Sequence, residues 1–299
     1  MRLSKASMTS LLLIITSTYG LQARPGDRLD RSRFHRTFDE EFNGPLSWCS
    51  DNCDGQIWRT KYFFSGEMPL SRGVGALHGD TEIAIDPLYL GLGLSPFLIA
   101  HGILIIQVRP AEQRTKAAVQ NAWPSYYRGP HTAPGFTSGL LTTEYSFRQR
   151  YGYFEARIKV PTLSGGWPAF WLFGKAGSYD EIDVSEILTS NPTVQHLGHQ
   201  WGDQSQPRKT QRADLNASDL SKDFHVYGVL WTKRSIIYYR DDREIAHFRN
   251  KGLNDPMYML LDIATDGDWN RKLGYSTPAN ASGDMLIDYV RAYQTYPNK

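Results

Sequence analysis

Polar and apolar side chains alternate strictly over residues 152–160, where Tyr153, Glu155, Arg157 and Lys159 interleave with Phe154, Ala156, Ile158 and Val160. A period of two predicts a half-buried antiparallel strand. Strand-length apolar runs recur at 102–108, 257–264 and 285–294, and 235–248 reads as two strands folded about Asp241 and Asp242. Only 111–122 (AEQRTKAAVQNA) has a helical look; its apolar positions are few, and it reads equally as a strand edge and loop. Residues 121–139 are long, aromatic and rich in Pro and Gly, and are read as an irregular wall of a binding cleft, the plainer alternative being aromatics that pin a surface loop. There is no internal repeat and no low-complexity linker after residue 35. Strands separated by turns, without long amphipathic helices, predict an all-β sandwich of two antiparallel sheets in one domain spanning 24–299.

With 40% hydrophobic and 21% charged residues, the 299-residue chain is neither disordered nor fibrous. A net charge of +2 argues against a nucleic-acid partner. The 8 Trp, 17 Tyr and 13 Phe, many beside Gly, Asp and Asn, suit a β-rich protein that handles sugars. Residues 1–23 read as a secretory signal: Arg2 and Lys5 are basic, Leu11 to Ile15 apolar, and Leu21-Gln22-Ala23 a cleavage site. The apolar run is too short for a membrane anchor, so the mature chain is expected to be secreted, extracellular or periplasmic, with no membrane association. Losing Arg2 and Lys5 with the signal takes the formal charge from +2 to zero. In an oxidising compartment, Cys49 and Cys53 could close a small disulfide loop in the turn WCSDNC; free thiols remain the alternative, and no His or second Cys pair stands near for a metal site.

The chemistry concentrates in DEIDVSEIL, 180–188. Glu181, Asp183 and Glu186 among β-branched residues make a costly strand to bury. Glu181 and Asp183 share a face; Glu186 points the other way unless one extra residue, a β-bulge at Val184-Ser185, brings it back. Glycosidic cleavage needs two such carboxylates, one ionised and one protonated, and a third acid between them can set their pKa values apart. Clustered acids also bind Ca²⁺ or Mg²⁺, but metal-binding acids more often come from loops than from a Val/Ile-rich strand. A third reading places the acids on a solvent face.

GGWPAFWLFG (165–174) followed by DEIDVSE (180–186) resembles the signature of glycoside hydrolase family 16, the laminarinase, lichenase and agarase group. TFDEEFNG (37–44), TSGLLTTEYSF (137–147), YGYFEARIKVP (151–161), FHVYGVLWT (224–232), DIATDGDW (262–269) and MLIDYVRAYQ (285–294) match in order. The resemblance implies a concanavalin A-like β-jelly-roll whose concave sheet forms an open cleft. It makes Glu181 the nucleophile, Glu186 the acid/base and Asp183 the helper that hydrogen-bonds the nucleophile. Trp167 and Trp171 become sugar-stacking candidates on one strand face, with a buried core position the alternative for Trp171. In VQHLGHQWGD (194–203), His199 is the better match to a cleft-facing histidine, with Trp201 beside it, although the spacing of His196 and His199 departs from the pattern. Glu144 and Arg157 are candidates for cleft-lining hydrogen bonds. Asp262 and Asp266-Gly267 stand where the family commonly has Asn and Gly-Gly, which predicts a more acidic distal cleft; Trp269 is retained. The family often carries a structural Ca²⁺, for which Asp288 would supply the carboxylate and Glu41 and Gly102 backbone carbonyls, the alternative being a salt bridge from Asp288 to a neighbour. No cofactor is expected for catalysis.

The expected function is that of a secreted, monomeric, retaining endo-β-glycanase. Its polysaccharide would be a β-1,3- or mixed-linkage glucan or a bacterial exopolysaccharide such as succinoglycan. The rivals are a transglycosylase, an agar or carrageenan hydrolase, and a non-catalytic glucan-binding protein, which would need the acids substituted.

Overall fold

The computed structural model describes residues 26–62, 69–73, 79–128, 133–203 and 205–296. The signal reading at 1–23, and 129–132 of the aromatic loop, lie outside the described residues. The alternating segment forms strand Gly152–Lys159, and the apolar runs form Ile103–Pro110, Tyr258–Thr265 and Gly283–Thr295. The pair Ser235–Arg240 and Arg243–Arg249 closes through Asp241 and Asp242, whose φ values of 52° and 63° are those of a primed hairpin turn.

The described strands make two sheets. The eight-stranded sheet runs Lys209–Asn216, Val194–Trp201, Glu181–Glu186, Gly166–Phe173, Tyr258–Thr265, Leu140–Thr142, Trp58–Arg59 and Trp48–Cys49, antiparallel except for the last pair. The ten-stranded sheet is built around Gly152–Lys159 and Gly283–Thr295, with Phe34–Glu40 adding to the latter. Phe154, Ala156, Ile158, Ile287 and Val290 from this sheet meet Phe170, Leu172, Ile182, Val184 and Leu261 from the other in one core. Among the described residues, no helix is long and apolar enough to cross a membrane.

The polar face of Gly152–Lys159 is turned away from that core, yet Glu155 on it is fully buried. Arg31, in the segment before the first strand, grips its two oxygens at 3.0 and 2.6 Å, and the Tyr293 hydroxyl donates at 3.0 Å. Residues 113–122 form a helix, Gln113–Ala122, which places Val119 against Ile83, Ile85 and Tyr89. The following aromatics join that cluster: Trp123 stacks on Tyr89 with centroids 6.1 Å apart, and Tyr127 belongs to a short helical turn, Pro124–Tyr127. The cleft-wall reading of this segment is therefore corrected to the plainer one. Its large side chains bury apolar area against the Ile83 side of strand Glu82–Ala84, whereas Ala84 packs with Tyr62, Leu140 and Phe173 on the other side. Cys49 and Cys53 are joined in a disulfide.

Candidate active site

Strand Glu181–Glu186 lies between Gly166–Phe173 and Val194–Trp201, and its ladder slips by one residue. Trp171 pairs with Asp183 and Phe170 with Ser185, which leaves Val184 without a partner on that side. Val184 and Ser185 are both buried, so two successive side chains leave the outer face and Glu186 returns to the side of Glu181 and Asp183. The slip is held from the next strand: Gln195 Nε2 donates to the Val184 carbonyl at 3.3 Å, and Gln195 Oε1 accepts from Arg240 at 3.0 Å.

Across the sheet, Glu181, Asp183 and Glu186 face Gln200, Gly198 and His196 on one side. Gln200 Nε2 donates to Glu181, and Asp183 shares hydrogen bonds with Glu181 and Gln200. Trp167 Nε1 donates to Glu186 at 3.0 Å. Both glutamates are half-buried. Burial first, and then the charge of Asp183, pushes Glu181 and Glu186 well above the usual carboxylate range. Burial also lifts Asp183, to about 6, against the pull of its hydrogen bond with Glu181 and of the Arg212 and Arg208 charges. Near neutral pH such a cluster holds fewer than three negative charges, so one member can carry a transferable proton while another is ionised.

Trp167 and Trp171 share the acid face as expected, and Trp171 is half-buried rather than part of the core, its Nε1 donating to Asp262 at 2.7 Å. Asp262 also accepts from the Tyr62 hydroxyl at 3.2 Å and stands in the same cross-strand row as Ala169 and Glu186. Burial raises it to about 6, and burial with the neighbouring Asp262 charge raises Asp80 to about 7, so the acidic flank predicted from Asp262 is present.

His199 and Trp201 are corrected. His199 pairs with Ile182, so the period of two turns its ring into the core, where it lies against Trp201 at 5.5 Å and Phe248 at 5.4 Å. Burial lowers it to about 4, a neutral imidazole. The histidine on the acid face is His196, which pairs with Glu186, bonds Asp214 through Nδ1 at 2.7 Å and lies 4.4 Å from the Trp269 ring. Trp269 in turn meets Trp167 edge-on at 5.2 Å. His196, Gln200, Trp269 and Tyr62 thus belong to the site without having been assigned to it; counting in twos onward from His196, the partner of Glu186, leads through Gly198 to Gln200.

Arg157 is also corrected. It belongs to the ten-stranded sheet, where it bonds Asp288 at 2.6 Å and covers the Phe224 ring at 4.6 Å. A polar strand face does not say which sheet it belongs to. Glu144 follows Leu140–Thr142 on the eight-stranded sheet, but its carboxylate is bound by Arg59 and approached by Arg148 at 3.8 Å, so it props the end of the face instead of lining it freely.

Of the residues expected around a structural cation, Glu41 and Gly102 stand together and Asp288 has a protein partner of its own. Glu41 and Gly102 are neighbours, a Cβ on Gly102 falling 4.0 Å from the Glu41 carbonyl oxygen. The Asp288 carboxylate meets the Arg157 guanidinium at 2.6 Å, the salt bridge weighed as the alternative.

Two sheets packed face to face, with three acids brought onto one outer face by a bulge and aromatic rings beside them, define a glycosidase-type site on a jelly-roll sandwich. The sequence model of glycosyl hydrolases family 16 matches residues 111–291, and the chain belongs to that family. Among curated relatives it is 36% identical, over 98% of its length, to the endo-1,3-1,4-beta-glycanase EglC of Rhizobium meliloti (strain 1021), and 33% identical to ExsH, an endo-1,3-1,4-beta-glycanase of the same strain. It spans 59% of the length of each. Among solved structures it resembles SCLam, a non-specific endo-beta-1,3(4)-glucanase, with a TM-score of 0.69 and 23% identity over 94% of this chain and 98% of that one. The laminarinase of Rhodothermus marinus gives 0.65 and 20%, over 88% and 98%. These likenesses establish the jelly-roll fold.

Proposed function

We propose that the chain is a retaining endo-β-glycanase that hydrolyses internal bonds of a β-1,3- or β-1,3-1,4-glucan or of a bacterial exopolysaccharide built on such linkages. The observation that carries this reading is the bulge that turns Glu186 onto the face of Glu181 and Asp183, where Trp167 and Gln200 fix the two glutamates. In the first step ionised Glu181 attacks the anomeric carbon while Glu186 gives its proton to the departing glycosidic oxygen, leaving a glycosyl ester on Glu181. In the second, Glu186 takes a proton from water, the hydroxide oxygen bonds to the anomeric carbon, and Glu181 leaves as carboxylate. Asp183 orients Glu181 through their shared hydrogen bond, and its charge favours protonation of Glu186. Trp167, Trp171 and Trp269 offer indole faces to sugar rings. The names of the curated glycanase relatives support the substrate class. The leader-like residues 1–23 and the disulfide support secretion, and a monomer is the working assembly.

The test is incubation of the purified chain, with Glu181→Gln as control, on laminarin, mixed-linkage β-glucan, succinoglycan-type polysaccharide, agarose and carrageenan, with mass spectrometry of the released oligosaccharides. Glu181-dependent oligomers from a glucan or the exopolysaccharide support the reading. Products from agarose or carrageenan alone move the substrate to a galactan. Transfer products that dominate at high acceptor concentration make the chain a transglycosylase, and binding without release makes it a recognition protein.

A further inference from the structure

The two flanks of the catalytic strand differ in their side chains: carboxyl groups stand on one and arginines on the other. Toward Tyr258–Thr265, Asp262 and its neighbour Asp80 add carboxyl groups to the three acids. Toward the sheet edge, the positions of strand Lys209–Asn216 opposite Gln200, Gly198 and His196 are Thr210, Arg212 and Asp214. Asp214 is taken up by His196. Arg212, and Arg208 just before the strand, are exposed, and among the described residues neither has an ion-pair partner. At the far end of the same sheet face, by contrast, Arg59 and Arg148 both meet Glu144.

Arg212 is held in place by a ring instead of a carboxylate: its Cζ sits 5.5 Å over Trp269, the indole that also contacts Trp167 and His196. Stacking fixes a guanidinium while leaving its N–H fork available. Between Arg212 and Asp183 the floor is Gly198, where a Cβ would come within 2.6 Å of the Gln211 backbone oxygen, so the position stays bare. A sugar over Asp183 therefore meets no side chain at Gly198 on the way to Arg212, and the Arg208 charge also reaches Glu181 and Asp183.

We infer that Arg208 and Arg212 form a subsite for an anionic group, a carboxylate or a sulfate half-ester, carried by the β-glycan bound at the catalytic acids. The inference rests on the glycanase reading above and adds to it that the preferred polymer is acidic. A guanidinium recognises either oxyanion through paired N–H donors. The carboxyl groups at Asp262 and Asp80 offer no such partner, so the anionic substituent is accepted on the edge-strand side alone.

The test measures affinity of the full chain carrying Glu181→Gln, which binds without turnover, for β-glucan oligosaccharides of equal length in neutral, carboxymethylated and sulfated forms. One anionic form is expected to bind about 10-fold tighter than the neutral form at low salt, and the preference to collapse at roughly 0.5 M salt. Adding Arg208→Gln and Arg212→Gln abolishes it, while the Lys versions keep part of it. Whichever anionic arm responds identifies the group. Equal affinity for all three forms, or a preference that survives the double substitution, overturns the inference. The active chain run on neutral glucan separates the two readings: cleavage without anionic preference leaves the glycanase standing and removes the subsite, whereas arginine-dependent binding without cleavage of any polymer does the reverse.

Discussion

Glu155 and Asp183 are both buried carboxylates on sheet faces turned away from the common core, and their surroundings differ in kind. Glu155 sits on the ten-stranded sheet between both nitrogens of the Arg31 fork and the Tyr293 hydroxyl. Asp183 sits on the eight-stranded sheet with Glu181 and Glu186 for neighbours, Gln200 for a donor, and only the more distant fields of Arg212 and Arg208 for compensation. A buried acid matched to a guanidinium is a strut; acids grouped with acids are held where protons change hands easily.

The contrast breaks if the two kinds of acid respond alike to removal of their charge. Glu181→Gln or Glu186→Gln is expected to cut kcat on unactivated polysaccharide by about 10³-fold or more with no loss of melting temperature, since each removes one step of the displacement together with a carboxyl group crowded by other acids. Glu155→Gln should do the opposite, costing about 2 kcal/mol in urea unfolding and leaving kcat unchanged. Similar stability losses in both would remove the distinction.

Asp183 sharpens it through pH. Its folded value, near 6, lies above the 3.8 of an unperturbed aspartate, so between those values the folded chain binds more protons than the unfolded one. Its contribution to stability is then fully present below pH 3.8 and is lost as pH rises through 6. Asp183→Asn should flatten that limb of the stability profile and shift the pH dependence of kcat/KM, which parallel titrations by melting and initial rate would read. An unchanged profile contradicts the cluster. The two histidines give a smaller effect: His196→Ala is expected to lower kcat/KM about 10-fold in a stable chain, whereas His199→Ala should cost stability, about 2 kcal/mol from the cavity it leaves, with kcat retained. Smallest is Trp167→Phe, which keeps a ring but deletes the donor to Glu186; about a 3-fold fall in kcat with the basic limb moved upward is expected.

Much of this was legible in the sequence because it is written in a period of two. The strand at 152–160 and the bulge at Val184-Ser185 follow from alternation and its single break, and the three acids follow from the bulge. Placing His199 and Trp201 required the register between strand Val194–Trp201 and its neighbour, which a long-range ladder sets and a local pattern does not contain. Arg157 and Glu144 were misread for a related cause: a polar position on a strand announces a partner without saying whether it is a sugar or, as here, Asp288 and Arg59. The helix Gln113–Ala122 was ambiguous because only Thr115 and Val119 are buried, too few to print a helical stripe.

The division of labour between Glu181 and Glu186 is tested most directly by trapping the covalent intermediate. The chain carrying Glu186→Gln, incubated with a 2-deoxy-2-fluoro β-oligoglucoside bearing a dinitrophenyl leaving group, forms the glycosyl ester without needing an acid and hydrolyses it slowly for want of a base. Intact-mass and peptide mass spectrometry should find one added glycosyl unit on the peptide containing Glu181 and on no other. An adduct on a different carboxylate, or steady turnover of the reagent with no adduct, would contradict the assignment of Glu181 as nucleophile.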